Sequence, residues 1–419
     1  MTTKPAETLN DLSERYEAFQ AMKLKLDMTR GKPAGEQLDL ADGLFETVTS
    51  RDFKALDGTD SRNYGGLEGL PECRQLFADY FGVKPSEVLI GGNSSLQLMF
   101  DTLVRAHVFG VPGGDRPWSA YAHEGKKVRW LCPAPGYDRH FAITQHLGYE
   151  LVIVPMTGRG PDMDVVERLV ADDPTVKGIW IVPKYSNPTG ESVSAENVKR
   201  LAEMRTAASD FRIIWDDAYA VHHLGDVHDE VPNLLDACQS AGNPNRVLVF
   251  GSTSKISHAG AGLAAMAANE ANIAWTKQHA GKQTIGPDKV NQLRHVRFFK
   301  DLAGIHAHMQ RHAAIMKPKF DAVLAVLEEE LGGTGLATWT RPNGGYFISL
   351  DTHPGHAKNV VKLAAEAGVK LTEAGATFPY GKDPEDRNIR LAPSFPGLLE
   401  IEVATRVVAT CVKLSAARG

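Results

Sequence analysis

Six short apolar runs constrain this chain more than any other feature: Val88–Ile90, Val128–Leu131, Leu151–Val154, Gly178–Val182, Ile213–Trp215 and Val247–Phe250. Runs rich in β-branched and aromatic residues, with few polar interruptions, suit strands buried on both faces, the situation of a parallel sheet covered by helices. Helical periodicity fills the intervals at Ser95–Val108, Asp138–Leu147, Asp162–Ala171 and Ser194–Ala208, the last opening on a Ser194 cap. Strand, helix and strand repeated in this way predict an α/β fold: a mostly parallel central sheet flanked by helices.

From about Ile305 the pattern changes to a long helix through Glu330, then short strands at Tyr346–Leu350 and Asn388–Leu391 with helices between and after them. That end reads as a smaller α+β domain. The first stretch offers a polar amphipathic helix, Leu9–Met22, and the loop Thr29-Arg30-Gly31-Lys32-Pro33, with too little apolar surface to stand alone. The expected division is therefore an N-terminal segment, 1–57, packing with the small domain, a large domain, 58–304, and the small domain, 305–419, within a chain of 419 residues.

Composition narrows the function. Hydrophobic residues make up 43% and charged residues 23%, both ordinary for a globular protein, and no apolar stretch is long enough for a membrane span. A net charge of −5 supplies no footprint for nucleic acid or an anionic membrane, so small molecules are the expected partners. The opening Met1-Thr2-Thr3-Lys4-Pro5-Ala6-Glu7 lacks the apolar core of a secretion signal, and a cytoplasmic location is expected. Cys73, Cys132, Cys238 and Cys411 are far apart, which points to reduced, buried thiols and to no metal site. Neither the dinucleotide fingerprint Gly-x-Gly-x-x-Gly after the first strand nor a Walker loop occurs.

The chemistry gathers after the strands. Val247–Phe250 runs into Gly251-Ser252-Thr253-Ser254-Lys255, and a lysine at the carboxyl end of a parallel strand can lose solvation, shift its pKa and form a Schiff base with an aldehyde. Asp216-Asp217-Ala218-Tyr219 follows the strand ending at Trp215 and brings a carboxylate and a phenol to the same edge. Asn187-Pro188-Thr189-Gly190 follows the strand ending at Val182. Gly91-Gly92-Asn93-Ser94-Ser95 follows Ile90 and opens a helix whose N–H groups and dipole favour an anion. Taken singly, a surface lysine, a helix cap and two ordinary turns would explain them, but independent accidents would not place all four at one sheet edge. Upstream, Arg62 to Pro71 is a glycine-rich loop that leaves Tyr64 exposed before a helix begins at Pro71.

In this order Tyr64, Asn93-Ser94-Ser95, Tyr137, Asn187-Pro188-Thr189-Gly190, Asp216-x-Ala218-Tyr219, Ser252-x-Ser254-Lys255 and Arg390 resemble the pyridoxal-phosphate-dependent aminotransferases of fold type I, class I/II. The resemblance spans essentially the whole chain. The Arg30–Pro33 loop, Lys184-Tyr185-Ser186-Asn187 and Ile389-Arg390-Leu391-Ala392-Pro393-Ser394-Phe395-Pro396 are most similar to the class Ic aspartate aminotransferases. The resemblance implies that Lys255 carries pyridoxal 5′-phosphate as a Schiff base and later moves the substrate Cα proton. It implies that Asp216 pairs with the pyridine nitrogen, that Tyr219 and Asn187 bond the ring's phenolic oxygen, and that Tyr137 stacks on the ring. Ser94, Ser95, Ser252 and Ser254 are implied to hold the phosphate. Tyr64 is implied to reach the phosphate of a neighbouring subunit, which makes the unit a homodimer. Asn343-Gly344-Gly345-Tyr346 and Arg390 belong to the second domain; Arg390, Asn187 and Gly31 are implied to bind the substrate, Arg390 clamping its α-carboxylate.

One departure stands out. The family usually has a phosphate-binding arginine shortly after the lysine, whereas Ile256 to Ala264 offers only His258 as an ionisable side chain. The expected substrates are aspartate and glutamate with 2-oxoglutarate or oxaloacetate. Their second carboxylate needs another cation, from Arg30-Gly31-Lys32, from Lys282–Lys289 of the partner chain, or from Arg139. Aromatic or 2-aminoadipate-type substrates and a pyridoxal lyase or decarboxylase are the alternatives. A Ser-Lys hydrolase fits Ser252-x-x-Lys255 and Tyr185-Ser186-Asn187 poorly, because no Lys-Thr-Gly occurs and the Tyr-Ser-Asn element precedes the serine. A cofactor-sensing transcription regulator would need a basic recognition helix before Tyr64, and none is present.

Overall fold

A computed structural model describes residues 7–29 and 31–418. Arg30 and the opening Met1–Ala6, on which two of the expectations above fall, lie outside the described residues. The strands are β1 (Leu26–Asp27), β2 (Val88–Ile90), β3 (Arg129–Ala134), β4 (Glu150–Pro155), β5 (Val176–Ile181), β6 (Arg212–Asp216), β7 (Val247–Ser252), β8 (Ala264–Ala267), β9 (Ala337–Trp339), β10 (Ile348–Thr352), β11 (Val369–Lys370) and β12 (Asn388–Leu391). Seven of them form one sheet in the order β2-β8-β7-β6-β5-β3-β4, in which β8 runs opposite to the other six.

Burial on both faces explains why these strands read as unbroken apolar runs. Ile179, Ile181, Ile213, Trp215, Val247 and Val249 point into one core, while Trp180, Ile214, Leu248 and Phe250 point into the other. β8 has no counterpart among the expected strands. Its Ala-Ala-Met-Ala sequence lacks the β-branched signal, yet small residues suit a strand fully buried beneath the helices Ser95–Phe109 and Pro71–Phe81.

Two boundaries differ from expectation for local reasons. The helix expected to reach Ala208 is Ala195–Glu203, ending where Met204 turns extended at ψ 140° and Thr206 Oγ1 bonds the Ala208 carbonyl. The strand expected from Tyr346 begins at Ile348, because Gly345, at φ +85°, donates its N–H to the His222 carbonyl instead of joining the ladder.

The C-terminal region stacks a three-stranded antiparallel sheet, β12-β10-β9, against the helices Leu302–Leu331, Ala357–Glu366 and Leu398–Ala417. The N-terminal helix Leu9–Ala21, closed by a Thr8–Asp11 capping box, joins that core through Leu12 and Tyr16, and β1 pairs in parallel with β11. Further along the same stretch, Ala55 lies in the core under the large sheet.

Candidate active site

The carboxyl ends of β3, β5, β6 and β7 lead into one cleft of about 470 Å³ between that sheet edge and the loop carrying Thr372 and strand β12 carrying Arg390. Asp216 closes β6, Ser252 closes β7, and Lys255, Asn187, Tyr137 and Ser95 follow their strands into the lining.

On the cleft floor Asp216 is buried, and its Oδ2 lies 2.9 Å from His140 Nε2, which must donate to it. The buried Asp216 Oδ1 has no hydrogen-bond partner among the described residues. His140 is held flat against Trp180, with ring centres 4.3 Å apart and planes within 8°. Lys255 Nζ stands 5.0 Å from the centre of the Tyr219 ring. Burial pushes the Lys255 ammonium below the ordinary lysine value, while the charge of Asp216 pulls the other way. Burial, reinforced by Asp216, lifts the Tyr137 phenol to about 12 and the Tyr219 phenol well above its usual value, so both stay protonated donors near neutral pH.

The opposite wall is built round Arg390, which is buried with 7% of its surface exposed. Its Nη1 donates to Asp138 Oδ1 at 3.1 Å and Asn187 Oδ1 at 3.2 Å, and its Nη2 to Thr372 Oγ1 at 3.2 Å and the Thr29 carbonyl at 3.4 Å. Phe347 lies beneath the guanidinium, 5.0 Å from ring centre to Cζ. A Cβ on Gly31 would sit 2.4 Å from that ring, so glycine is what lets the loop pass.

The serines divide. Ser95 and Ser252 line the cleft. Ser94 instead caps the helix Ser95–Phe109 by accepting from the Gln97 N–H, and Ser254 Oγ donates to the Asn93 carbonyl at 3.1 Å and accepts from Ser252 Oγ at 3.2 Å. Tyr64 is not brought to the cleft of its own chain: it is 84% exposed, on a loop that Lys289 Nζ ties down through the Gly65 carbonyl at 2.7 Å. Lys289 is thereby spent, and Lys282 is exposed. His258 turns to Asp42, 3.4 Å away, and stacks on Phe45. Lys32 lies over the Phe395 ring at 3.8 Å. Arg139 is exposed on the cleft lining, with no hydrogen-bond or ion-pair partner among the described residues.

Asp138, His140, Phe347 and Thr372 were not singled out by sequence reasoning. A signal existed for His140, which follows Tyr137 at helical i, i+3 spacing and shares its face. Nothing local marks Asp138 as the partner of an arginine 252 positions later.

The family model for aspartate amino-transferases matches residues 2–419. A relative from Mycolicibacterium smegmatis is 53% identical over 410 residues, covering 97% of this chain and 95% of that protein. The aspartate aminotransferase of Corynebacterium glutamicum is 51% identical over 407 residues, covering 97% and 93%. The crystal structure of an aspartate transaminase from Corynebacterium glutamicum superimposes with a TM-score of 0.95, covering 98% of this chain and 96% of that one. The α-aminoadipate aminotransferase LysN of Thermus thermophilus, at 22% identity and TM-score 0.75, shares the fold. With a family match over nearly its whole length and relatives above half identity, the chain belongs to the aspartate aminotransferase family.

Proposed function

We propose that this protein is a pyridoxal-phosphate-dependent aminotransferase that moves the amino group between aspartate or glutamate and a 2-oxo acid, working as a homodimer. The observation that carries the reading is the pairing, in one cleft, of a partly desolvated Lys255 with an Asp216 whose buried Oδ1 has no partner among the described residues. A protonated pyridine nitrogen supplies the donor Asp216 Oδ1 needs, so the residues fit the cofactor. Bound there, pyridoxal phosphate supplies an aldehyde that condenses with amines and a ring that accepts the electrons of a breaking Cα–H bond.

The chain's own residues then have defined tasks. Asp216, oriented by His140, would pair with the ring nitrogen. Tyr219 and Asn187 would offer donors to a ring oxygen, and Tyr137 would help hold the ring. Lys255, its ammonium destabilised by burial, is neutral more of the time and can both attach the aldehyde and, once released, take the proton from the substrate Cα at Nζ. Arg390 holds the α-carboxylate with a fork already oriented by Asp138, Asn187 and Thr372. Ser95, Ser252 and the N-terminus of the helix Ser95–Phe109 would hold the phosphate, with Ser94 and Ser254 shaping that turn. The exposed Tyr64 completes the site of the partner subunit, which supports the dimer.

For the second carboxylate we assign Arg139, since it lines the cleft with no hydrogen-bond or ion-pair partner among the described residues, whereas Lys32 lies over Phe395 and Lys289 bonds the Gly65 carbonyl. The 51% identical Corynebacterium glutamicum protein, named for aspartate, supports the substrate class. The division into 1–57, 58–304 and 305–419 and a cytoplasmic location go with this reading, the latter supported by four buried, unpaired cysteines. No helix among the described residues is long and apolar enough to cross a membrane.

Rates with aspartate, glutamate, alanine, phenylalanine and 2-aminoadipate test the proposal. Dicarboxylic substrates should lead neutral ones by roughly two orders of magnitude in kcat/KM, and Arg139→Ala should erase most of that lead. Equal turnover of alanine or phenylalanine refutes the substrate class. Release of ammonia or carbon dioxide without an oxo-acid acceptor refutes the transaminase.

A further inference from the structure

Behind the lysine, on the side away from the cleft, lie three buried imidazoles. His308 Nε2 is 2.8 Å from the Ile256 carbonyl, His312 Nε2 is 3.1 Å from His308 Nε2, and His222 Nε2 is 3.3 Å from the Lys255 carbonyl. The carbonyls of the lysine and of the residue after it are thus both held by imidazole N–H groups. Neither His308 nor His312 touches the cleft.

The proton positions follow from one fixed donor. The Ala34 N–H, which can only donate, bonds Gln37 Oε1 at 3.0 Å, and this sets the orientation of the fully buried Gln37 amide. Gln37 Nε2 then has two hydrogens and two acceptors: Tyr346 Oη at 3.1 Å and His312 Nδ1 at 3.2 Å. An Nδ1 that accepts leaves the His312 proton on Nε2, directed with that of His308 toward the Ile256 carbonyl, whose two lone pairs can serve both. A second proton on His312 would break the Gln37 bond. Titratable groups facing the rings are Arg311, His258, His223, Lys255, Tyr346 and Tyr219, none of which favours an imidazolium. Burial holds all three rings below the ordinary histidine value, His312 at about 4.

We infer that Gln37, His312, His308 and His222 are positioning residues: a neutral-imidazole clamp that fixes the backbone from which Lys255 reaches into the cleft. Gln37 also caps the turn at Ala34, just beyond Gly31 and Lys32 on the cleft lining, so the clamp joins the substrate-side loop to the lysine. The inference rests on Lys255 being the reactive lysine.

Gln37→Glu tests it. The carboxylate keeps the Ala34 bond but presents an acceptor to His312 Nδ1, which must then carry a proton. In the holoenzyme kcat should fall about ten- to a hundredfold with KM within about twofold. A new ionisation should also enter the kcat profile and the visible absorption between about pH 5 and 8. His308→Gln, which keeps a donor at the Nε2 position, should retain kcat where His308→Leu loses it. Independently of any turnover, ¹⁵N spectra of histidine-labelled protein at neutral pH, with and without cofactor, should show His312 protonated at Nε2 and bare at Nδ1. A protonated Nδ1 overturns the clamp even if the enzyme is a transaminase, as does a folded Gln37→Glu protein with the parental pH profile. The ¹⁵N result decides alone if that variant does not fold.

Discussion

The two ends of the cleft are built differently. The end round Asp216 and Arg390 is complete within one chain: both side chains are buried, and each is aligned by neighbours from elements far apart in sequence. The end round Ser95 and Ser252 is open, carries no arginine after the lysine, and leaves the expected Tyr64 pointing to solvent. A site of which one end is pre-paired and the other unfinished is what a chain needs if recognition of ring and carboxylate is intrinsic while phosphate anchorage waits for a second copy.

Breaking the finished end should cost most. Asp216→Asn keeps the shape and removes the charge, leaving His140 without its acceptor ion, and kcat/KM should drop about a hundred- to a thousandfold. A variant within tenfold of the parent would mean that the charge under the ring is dispensable. Arg390→Lys comes next: a single ammonium cannot serve Asp138, Asn187, Thr372 and a carboxylate together, so KM for amino and oxo acids should rise by about one to two orders of magnitude with a smaller change in kcat. At the unfinished end Tyr64→Ala should weaken cofactor retention, and mixing it with Lys255→Ala chains should restore partial activity, since in the proposed dimer, where Tyr64 crosses to its neighbour, both defects fall in one pocket and leave the other intact. Full activity of the monomer at high dilution would erase the contrast between the ends.

How much of this was legible in the sequence follows from the physics of each element. Strands buried on both faces announce themselves through β-branched runs, and the residues just past their ends, Asp216, Asn187 and Lys255, inherit their place at the cleft from the parallel topology. β8 was silent because alanine carries no strand signal. Ser94 and Ser254 are implied by the resemblance to hold the phosphate; in the structure Ser94 Oγ accepts from the Gln97 N–H and Ser254 Oγ donates to the Asn93 carbonyl, local bonds that sequence does not announce. Pairings such as Gln37 with His312 join positions 275 residues apart and leave no local pattern.

The smallest expected effect lies outside both ends and controls for global damage. Glu330, beneath the N-terminal helix, accepts from Arg15 at 2.8 Å and Lys413 at 2.7 Å. Burial alone would raise its pKa, but the bonds from Lys413 and Arg15 outweigh that and hold it at about 2. A depressed folded pKa contributes stability that is present above the unfolded carboxyl value and lost as pH falls through the folded one. Glu330→Gln should therefore cost roughly 1–2 kcal/mol near neutral pH and flatten the acid loss of Tm between about pH 4.5 and 2, with kcat unchanged. A changed kcat would show that the N-terminal helix is coupled to the cleft.

The most direct measurement is borohydride reduction of the cofactor-loaded protein followed by peptide mapping. The label should fall on the peptide containing Lys255 and nowhere else, with the visible band lost on reduction. A label on Lys184, Lys289 or any other lysine, or a protein that stays colourless with pyridoxal phosphate, would contradict the assignment of Lys255 and with it the site built around Asp216.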